Sequence, residues 1–384
     1  MQCDHFDAGR CRSCTLMGTP YSDQLDDKRR RAAEQLAPVA PELVWLDPAR
    51  SPEAQYRNKA KLVVGGRPGH PTLGILDERG RGVDLRSCGL YEPGLAATFD
   101  PLHRLVAELG LEPYDVPARR GELKYVLVTH SPAGEQLVRF VLRSERRLAD
   151  LRAAVPRLLA DLPSVRVVTA NLHPEHKAVL EGDTEIPLTA QATLPMHVGD
   201  VTLQLGPRSF FQTNTTVAAA LYRQARHWID ATDPAVLWDL YCGVGGFALH
   251  AAAPGRTVVG VETSPDAVAA ARASLAGIPD AGSVEFVVGD ATGTTPAHAP
   301  QLVVVNPPRR GIGPELAAWL DASQARHVIY SSCNVVSLAR DLAAMPSLQP
   351  VTGRVFDMFP QTPHTEVMLL LERVDGHSGR GSSP

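Results

Sequence analysis

Two stretches in the carboxyl-terminal half carry side chains able to make and break bonds. Tyr330-Ser331-Ser332-Cys333-Asn334 closes one apolar run with a thiol, and Val305-Asn306-Pro307-Pro308-Arg309-Arg310-Gly311 closes another. Open α/β sheets build their sites at the carboxyl ends of the strands, so both stretches are expected at one edge. A lone cysteine is more often a small buried hydrophobe. Cys333 departs from that pattern, standing at a strand end between serines and Asn334 and beside N-P-P-R. It is read as a nucleophile, since a cysteine is strongly nucleophilic even when only partly ionised near neutral pH. Cys242 lacks such neighbours and is read as packing.

A second constellation points to a bound ligand. Asp239-Leu240-Tyr241-Cys242-Gly243-Val244-Gly245-Gly246-Phe247 follows a strand and opens a helix, and Glu262 ends the next strand. Glycines permit a tight turn and close backbone approach to a ligand. A carboxylate about 20 residues on suits ribose hydroxyls. A dinucleotide site wants G-x-G-x-x-G to hold a pyrophosphate, whereas here an acid precedes the glycines. That arrangement suits a cationic, phosphate-free ligand such as S-adenosylmethionine. Asp290, ending a third strand, is placed either to contact an adenine or to cap a helix. Amino-group methyltransferases commonly carry an aromatic residue after the two prolines to stack their base; Arg309 in that place argues against adenine or cytosine amino methylation.

The third group is Cys3, Cys11 and Cys14, with Cys88 distant, giving C-x7-C-x2-C plus one. In a cytosolic chain such a cluster means metal or catalysis more often than disulfides. By count, four thiolates suit zinc or a [4Fe–4S] cluster equally. Zinc sites more often use two C-x2-C knuckles, and only one close pair is present.

The elements that must position these groups form two rhythms. After a cysteine-bearing loop over 1–20 and a polar helix from about Ser22 to Leu36, residues 44–201 favour short strands broken by helical stretches near 102–109 and 146–161, a mixed α+β domain. From Ala235, apolar runs at 236–240, 257–262, 284–290, 301–306 and 327–331 alternate with helical patterns at 265–275, 314–320 and 336–344. This is the pattern of buried parallel strands in a doubly wound α/β domain. Arg354 to Phe359 and Glu366 to Glu372 read as an antiparallel hairpin on the sheet edge. Residues 375–384, rich in Gly and Ser, read as a disordered tail. The expected organisation is therefore a segment over 1–43, completed by Cys88, a central domain over 44–201, a catalytic domain over 202–374, and the tail.

Composition narrows the setting. Of 384 residues, 44% are apolar, enough for ordinary cores, yet no stretch approaches the roughly 18 apolar residues of a membrane span. Neither a signal peptide nor a membrane is indicated, and a cytoplasmic protein without an obligate protein partner is expected. The net charge of −4 gives no global attraction to nucleic acid, so an RNA site would have to be a local basic patch. Arg57, Lys59 and Lys61 alternate on a predicted strand and would share one face, as a phosphate-tracking row should. Arg119, Arg120 and Lys124 offer a second patch. Phe210 and Phe211 can each stack on a base or pack in the core.

Ser209-Phe210-Phe211-Gln212-Thr213-Asn214, Asp239 to Phe247, Asn306 to Gly311, Ser331 to Asn334 and His364-Thr365-Glu366 occur in order. Over nearly the whole chain this resembles the RNA uracil-C5-methyltransferase family. The resemblance implies a Rossmann-like class I methyltransferase domain behind an N-terminal α+β domain bearing an iron–sulfur cluster. It implies Cys333 as nucleophile, Glu366 as the base that takes the carbon-5 proton, and Gln212, Tyr241, Glu262 and Asn306 lining the S-adenosylmethionine site. Within the family, rRNA members carry a [4Fe–4S] cluster on the arrangement of Cys3, Cys11, Cys14 and Cys88. The start of the cluster at Cys3 leaves no room for the N-terminal β-barrel of another branch. Both other branches usually have Asp where this chain has Asn306, so 23S rRNA is the implied partner. A tRNA uracil-C5-methyltransferase and a non-catalytic RNA-binding assembly factor are the competing readings, the latter disfavoured by the intact Cys333 and Glu366.

Overall fold

The computed structural model describes residues 1–177, 179–293 and 298–374. The tail over 375–384 lies outside the described residues. The chain forms two compact units: one holds Met1–Gly18, Pro52–His197 and Gln204–Thr215, the other Thr19–Ser51, Val198–Leu203 and Thr216–Pro384. These limits do not follow the boundaries at 43 and 201 read from the sequence. The cysteine-bearing loop sorts with the central strands, and the helix after it, Tyr21–Leu36, sorts with the carboxyl-terminal sheet.

The first unit is built on a seven-stranded sheet, in spatial order Gly82–Asp84, His70–Leu76, Lys59–Arg67, Leu123–His130, Gln136–Leu142, Val165–Leu172, Thr184–Pro187. Pairing is antiparallel except between Gln136–Leu142 and Val165–Leu172. That parallel pair requires a crossover, which the helix Leu148–Asp161 supplies. Alternate residues of the strands, such as Ala60, Leu62, Val64, Val126, Val128, Val138 and Phe140, join Leu102, Val106, Leu151 and Val155 of the helices in one core. The mixed α+β reading of the central region holds.

The second unit contains an eight-stranded sheet, in the order Val44–Trp45, Leu348–Phe356, Glu366–Arg373, His327–Ser332, Leu302–Val305, Val236–Leu240, Thr257–Glu262, Ser283–Val288. All neighbours are parallel except those of Glu366–Arg373, which runs antiparallel to both its partners. Strand order reverses on either side of Val236–Leu240, and that reversal opens a crevice at the carboxyl edge. The expected hairpin is present but is not the sheet edge, because Val44–Trp45 adds a further strand beside Leu348–Phe356. Buried valines and leucines of the central strands make near-continuous apolar runs, as strands covered on both faces require. Among the described residues no helix is long and apolar enough to cross a membrane.

Candidate active site

Strand register sets the site before any side chain is considered. Leu240 pairs with Val261 and Val305, and Val305 pairs with Tyr330. The residues one step further, Tyr241, Glu262, Asn306 and Ser331, therefore form a row along the carboxyl edge, with Cys333 just beyond. On the other side Ser332 pairs with Val367 in the antiparallel strand. Continuing that register by one residue sets Cys333 opposite Glu366. The two groups proposed from the sequence for catalysis, 33 positions apart in the chain, are thus brought together by one antiparallel pair.

Their environments differ. Glu366 is buried, and its Oε1 accepts a hydrogen bond from the Ser331 hydroxyl at 2.5 Å. Burial pushes its carboxyl up to about 7, against the opposing effect of that hydrogen bond. Cys333 is half-buried. Burial and the charge of Glu366 raise its thiol, while the guanidinium of Arg309 opposes both by charge and by hydrogen bond. Arg309 is anchored at both its backbone and its side chain. Its carbonyl accepts from Asn334 Nδ2 at 2.9 Å and from the Ser337 hydroxyl at 3.1 Å, and its Nη2 donates to His364 Nδ1 at 3.0 Å. Behind the loop, buried Asp341 accepts from the Tyr330 hydroxyl at 2.7 Å and the Ile312 N–H at 2.9 Å, tying the N-P-P-R-R-G turn to the nucleophile strand. Sequence reasoning used Arg309 only to exclude amino methylation; its position after the prolines at the same strand edge was the available signal for a thiol partner. Ser331 and His364 were not assigned roles.

The glycine turn makes a cradle. Tyr241, Gly243 and Gly245 all have positive φ, at 65°, 55° and 86°. A Cβ on Gly243 would meet nothing within 4 Å, so that side of the turn is open, whereas one on Gly246 would lie 2.4 Å from the Tyr222 hydroxyl. Asp239 is fully buried; its Oδ2 caps the following helix through the Ala248 N–H at 2.8 Å, and its Oδ1 has no hydrogen-bond partner. Burial pushes this carboxyl up to about 8. Glu262 accepts from the Gly243 N–H at 3.1 Å and the Ser264 N–H at 2.9 Å, holding the turn from the neighbouring strand. An open glycine face with the Glu262 carboxylate beside it fits a cationic ligand, while buried Asp239 braces the turn from beneath. Asp290 accepts from the Thr292 N–H at 2.8 Å and so caps a turn, where the sequence offered an adenine contact or a helix cap.

Gln212 belongs to the first unit, where its carbonyl accepts from Asn58 Nδ2 at 3.0 Å. Its neighbours separate sharply: Phe210 is 73% exposed and Phe211 only 4%. Lys61 is exposed and Lys59 half-buried on their strand, with Ala60 between them facing the core. Burial, with the charges of Lys61 and Arg139, pulls the Lys59 amine down to about 8. Lys124 is corrected as a member of an exposed patch, being buried with its Nζ on the Glu175 carbonyl at 2.5 Å and over the Tyr114 ring.

Cys3, Cys11, Cys14 and Cys88 share the first unit, all as free thiols. Cys14 packs with Tyr56 and Leu90, and with Met1, Met17 and Cys88. Burial, then the charges of Cys88, Cys11 and Cys3, push its thiol up to about 11, so the four sulfurs sense one another. Among the described residues no group of three or more His, Cys, Asp or Glu side chains is drawn together closely enough to hold a metal ion.

The doubly wound sheet with its reversed strand, the glycine turn after the first strand, and the acid on the second define a Rossmann-like class I methyltransferase fold. The solved tRNA (uracil-54, C5)-methyltransferase of Pyrococcus abyssi, in complex with S-adenosyl-L-homocysteine, shares this fold: TM-score 0.77 at 23% identity, over 94% of this chain and 85% of that one. The family model tRNA (Uracil-5-)-methyltransferase matches residues 295–374. Two relatives, each a 23S rRNA (uracil(747)-C(5))-methyltransferase RlmC, are similar along their whole length. That of Halothiobacillus neapolitanus is 47% identical over 97% of this chain and 100% of its own. That of Cronobacter sakazakii is 46% identical with the same shares. This chain belongs to the RlmC family of RNA uracil-C5-methyltransferases.

Proposed function

We propose that this protein methylates carbon 5 of a uridine in 23S rRNA, of the uracil-747 class for which its relatives are named. The observation that carries the reading is Cys333 set opposite Glu366 by strand register, with Arg309 on the thiol and Ser331 on the carboxyl. Carbon 5 of uracil is too weak a nucleophile to attack a sulfonium methyl unaided. Cys333 thiolate bonds to carbon 6, and the displaced electron pair, delocalised as an enolate, makes carbon 5 nucleophilic. Arg309 favours the thiolate at the moment of addition. S-Adenosylmethionine, held on the glycine turn by Tyr241, Glu262 and Asn306, supplies the methyl group, which passes from its sulfonium sulfur to carbon 5 and leaves the neutral thioether. Glu366 then takes the carbon-5 proton, the electrons of that C–H bond restore the ring double bond, and the Cys333 sulfur leaves as thiolate. A carboxyl near 7 suits a base that must be ionised when the proton is ready to leave.

Cys3, Cys11, Cys14 and Cys88 would hold a [4Fe–4S] cluster, which would cross-link the Met1–Gly18 segment to the turn bearing Cys88 through thiolate bonds. The placing of all four cysteines in one unit, with Cys14 and Cys88 packed beside Met1 and Met17, supports the assignment. Lys61, Lys59 and exposed Phe210 would meet RNA as charges for phosphate and a ring for a base. A cytoplasmic location follows from the rRNA substrate.

The test is to map 5-methyluridine in rRNA and tRNA of cells with and without the gene. Loss of one site in 23S rRNA is expected. Loss confined to tRNA would redirect the substrate, and no loss would overturn the enzymatic reading.

A further inference from the structure

Glu366 begins its strand directly after an irregular stretch, Asp357 to Thr365, and how that stretch is held decides where the carboxylate stands. Irregular backbone carries polar groups without regular partners, and such segments normally lie on the surface. Here Asp357, Met358, Pro360, Gln361 and Thr362 are instead all buried. The groups that meet them come from the other end of the sequence. The helix Tyr21–Leu36 packs on the helix Val335–Ala343 and the strand Leu348–Phe356, burying Tyr21, Gln24, Leu25, Lys28, Ala32 and Leu36 along one face. The carboxyl-terminal half of that face is apolar. Its amino-terminal half sets two polar side chains, Gln24 and Lys28, 1% and 2% exposed, beside Tyr21 and Leu25.

Each polar side chain grips the loop twice. Lys28 Nζ donates to Asp357 Oδ1 at 2.6 Å and to the Phe359 carbonyl at 3.1 Å. Gln24 Nε2 donates to Gln361 Oε1 at 3.1 Å, and Gln24 Oε1 accepts the Gln361 N–H at 3.0 Å. Gln361 has φ of +65°, a conformation side-chain-bearing residues adopt at a cost and keep where surroundings enforce it. The Lys28–Asp357 pair itself is of a kind that apolar groups commonly replace without loss of stability, whereas the Phe359 carbonyl and the Gln361 N–H need polar partners if the backbone is to keep this path. What the polar face supplies is a fixed path for the backbone between Phe356 and Glu366. The same path fixes His364, which accepts from Arg309.

We propose that Gln24 and Lys28 are positioning residues for the proton-removal step, locking the Asp357–Thr365 loop so that Glu366 stays opposite Cys333. This rests on the reading of Cys333 as nucleophile and Glu366 as base. Loosening the clamp slows removal of the carbon-5 proton more than the preceding addition and methyl transfer, so the methylated ring stays bonded to sulfur for longer.

The experiment uses the full-length protein, a radiolabelled 23S rRNA fragment and S-adenosylmethionine. Gln24→Leu removes two loop contacts without leaving a buried charge. Lys28→Met is examined beside the double variant Lys28→Met with Asp357→Leu, which removes the pair together. Turnover, the KM for RNA, and the fraction of protein trapped on RNA in a denaturing gel are measured at steady state, per correctly folded molecule by circular dichroism and titration with the methyl donor. The expected result for Gln24→Leu is about a tenfold fall in kcat, an unchanged KM within a factor of about two, and a trapped fraction several times that of the unaltered protein. A merely structural role lowers the folded fraction and leaves kcat and trapping per folded molecule unchanged; that result overturns the proposal. Unaltered protein that transfers no methyl group, with no trapping by Glu366→Gln, overturns the mechanism and this proposal with it. Trapping by Glu366→Gln but none by either clamp variant overturns the positioning role alone.

Discussion

Two cysteines follow strands of one sheet at the same edge, and they are chemically opposite. Cys242 lies in the glycine turn, buried, its N–H on the Val261 carbonyl at 3.1 Å. Burial raises its thiol far beyond the ordinary range, and the charges of Asp239 and Glu262 push the same way. Cys333 is half-buried, and although burial and Glu366 raise it too, Arg309 pulls back. Asp239 and Glu262, beside Cys242, are acidic groups, and neither favours a thiolate. On the proposed mechanism a strand-end cysteine needs a nearby cation and partial access to solvent to act as a nucleophile, and the edge position alone supplies neither.

The largest effect should come from exchanging the two in turn. Cys333→Ala is expected to lower turnover about 10⁴-fold or more and to give no RNA adduct. Cys242→Ala should keep turnover within about tenfold, at a stability cost on the order of 1 kcal/mol. A protein–RNA band of normal strength from Cys333→Ala on a denaturing gel would move the nucleophile elsewhere.

Next comes Glu366→Gln, which keeps shape and the Ser331 contact but cannot take a proton. Turnover should fall roughly 10²–10⁴-fold, while a slow-migrating thioether band to RNA accumulates. In the unaltered protein kcat should fall as pH drops through about 7, because the base must be ionised. The Glu366→Gln variant should lose that limb; a profile identical to that of the unaltered protein would assign the limb to another group.

Much of this contrast was legible in the residues. Apolar runs located the strands of the catalytic sheet that end in site residues, and the helical patterns at 265–275, 314–320 and 336–344 matched within a few positions, whereas the helix Thr215–Thr232 escaped the reading. Cys333 and Glu262 were proposed from strand ends, whereas Asn306 and Glu366 needed the family resemblance; the meaning of Glu366 lies in an antiparallel pairing with a strand 35 residues earlier (Ser331 to Glu366). Periodicity describes one element at a time and is silent on its partner. It therefore could not show that Tyr21–Leu36 serves the catalytic unit, that Val44–Trp45 extends the sheet past the hairpin, or that Lys124 is buried over Tyr114. Gln24 and Gln361 stand 337 positions apart, and no local pattern links them.

A smaller effect tests the ligand side of the comparison. Glu262→Ala should weaken S-adenosylmethionine binding about ten- to a hundredfold, from the loss of roughly 1.5–3 kcal/mol of charge-assisted hydrogen bonding. The Gly243 and Ser264 N–H groups lose their acceptor as well, so the turn itself should loosen. Glu262→Gln keeps one acceptor oxygen and should fall between. Equal calorimetric affinity for all three proteins would reduce Glu262 to a strand-end residue.

The smallest effect is the most direct test of why the two thiols differ. If Arg309 is what separates Cys333 from Cys242, removing its charge should move the first toward the second. Arg309 lowers the Cys333 thiol, so Arg309→Leu leaves burial and Glu366 unopposed and the pKa rises. Alkylation by iodoacetamide proceeds through the thiolate, and where the thiol titrates above the working pH each unit of rise costs about tenfold in rate. For Arg309→Leu a slowing of about three- to tenfold at neutral pH is expected, with the pH–rate curve displaced upward and its plateau unchanged. The site of labelling is read by peptide mass spectrometry, so that Cys333 and Cys242 are followed in the same sample. Cys242 should stay unlabelled in both proteins until they unfold. Should the Cys333 curve stay where it was, access to solvent and not charge would be the distinguishing feature, and Arg309 would be left to the substrate.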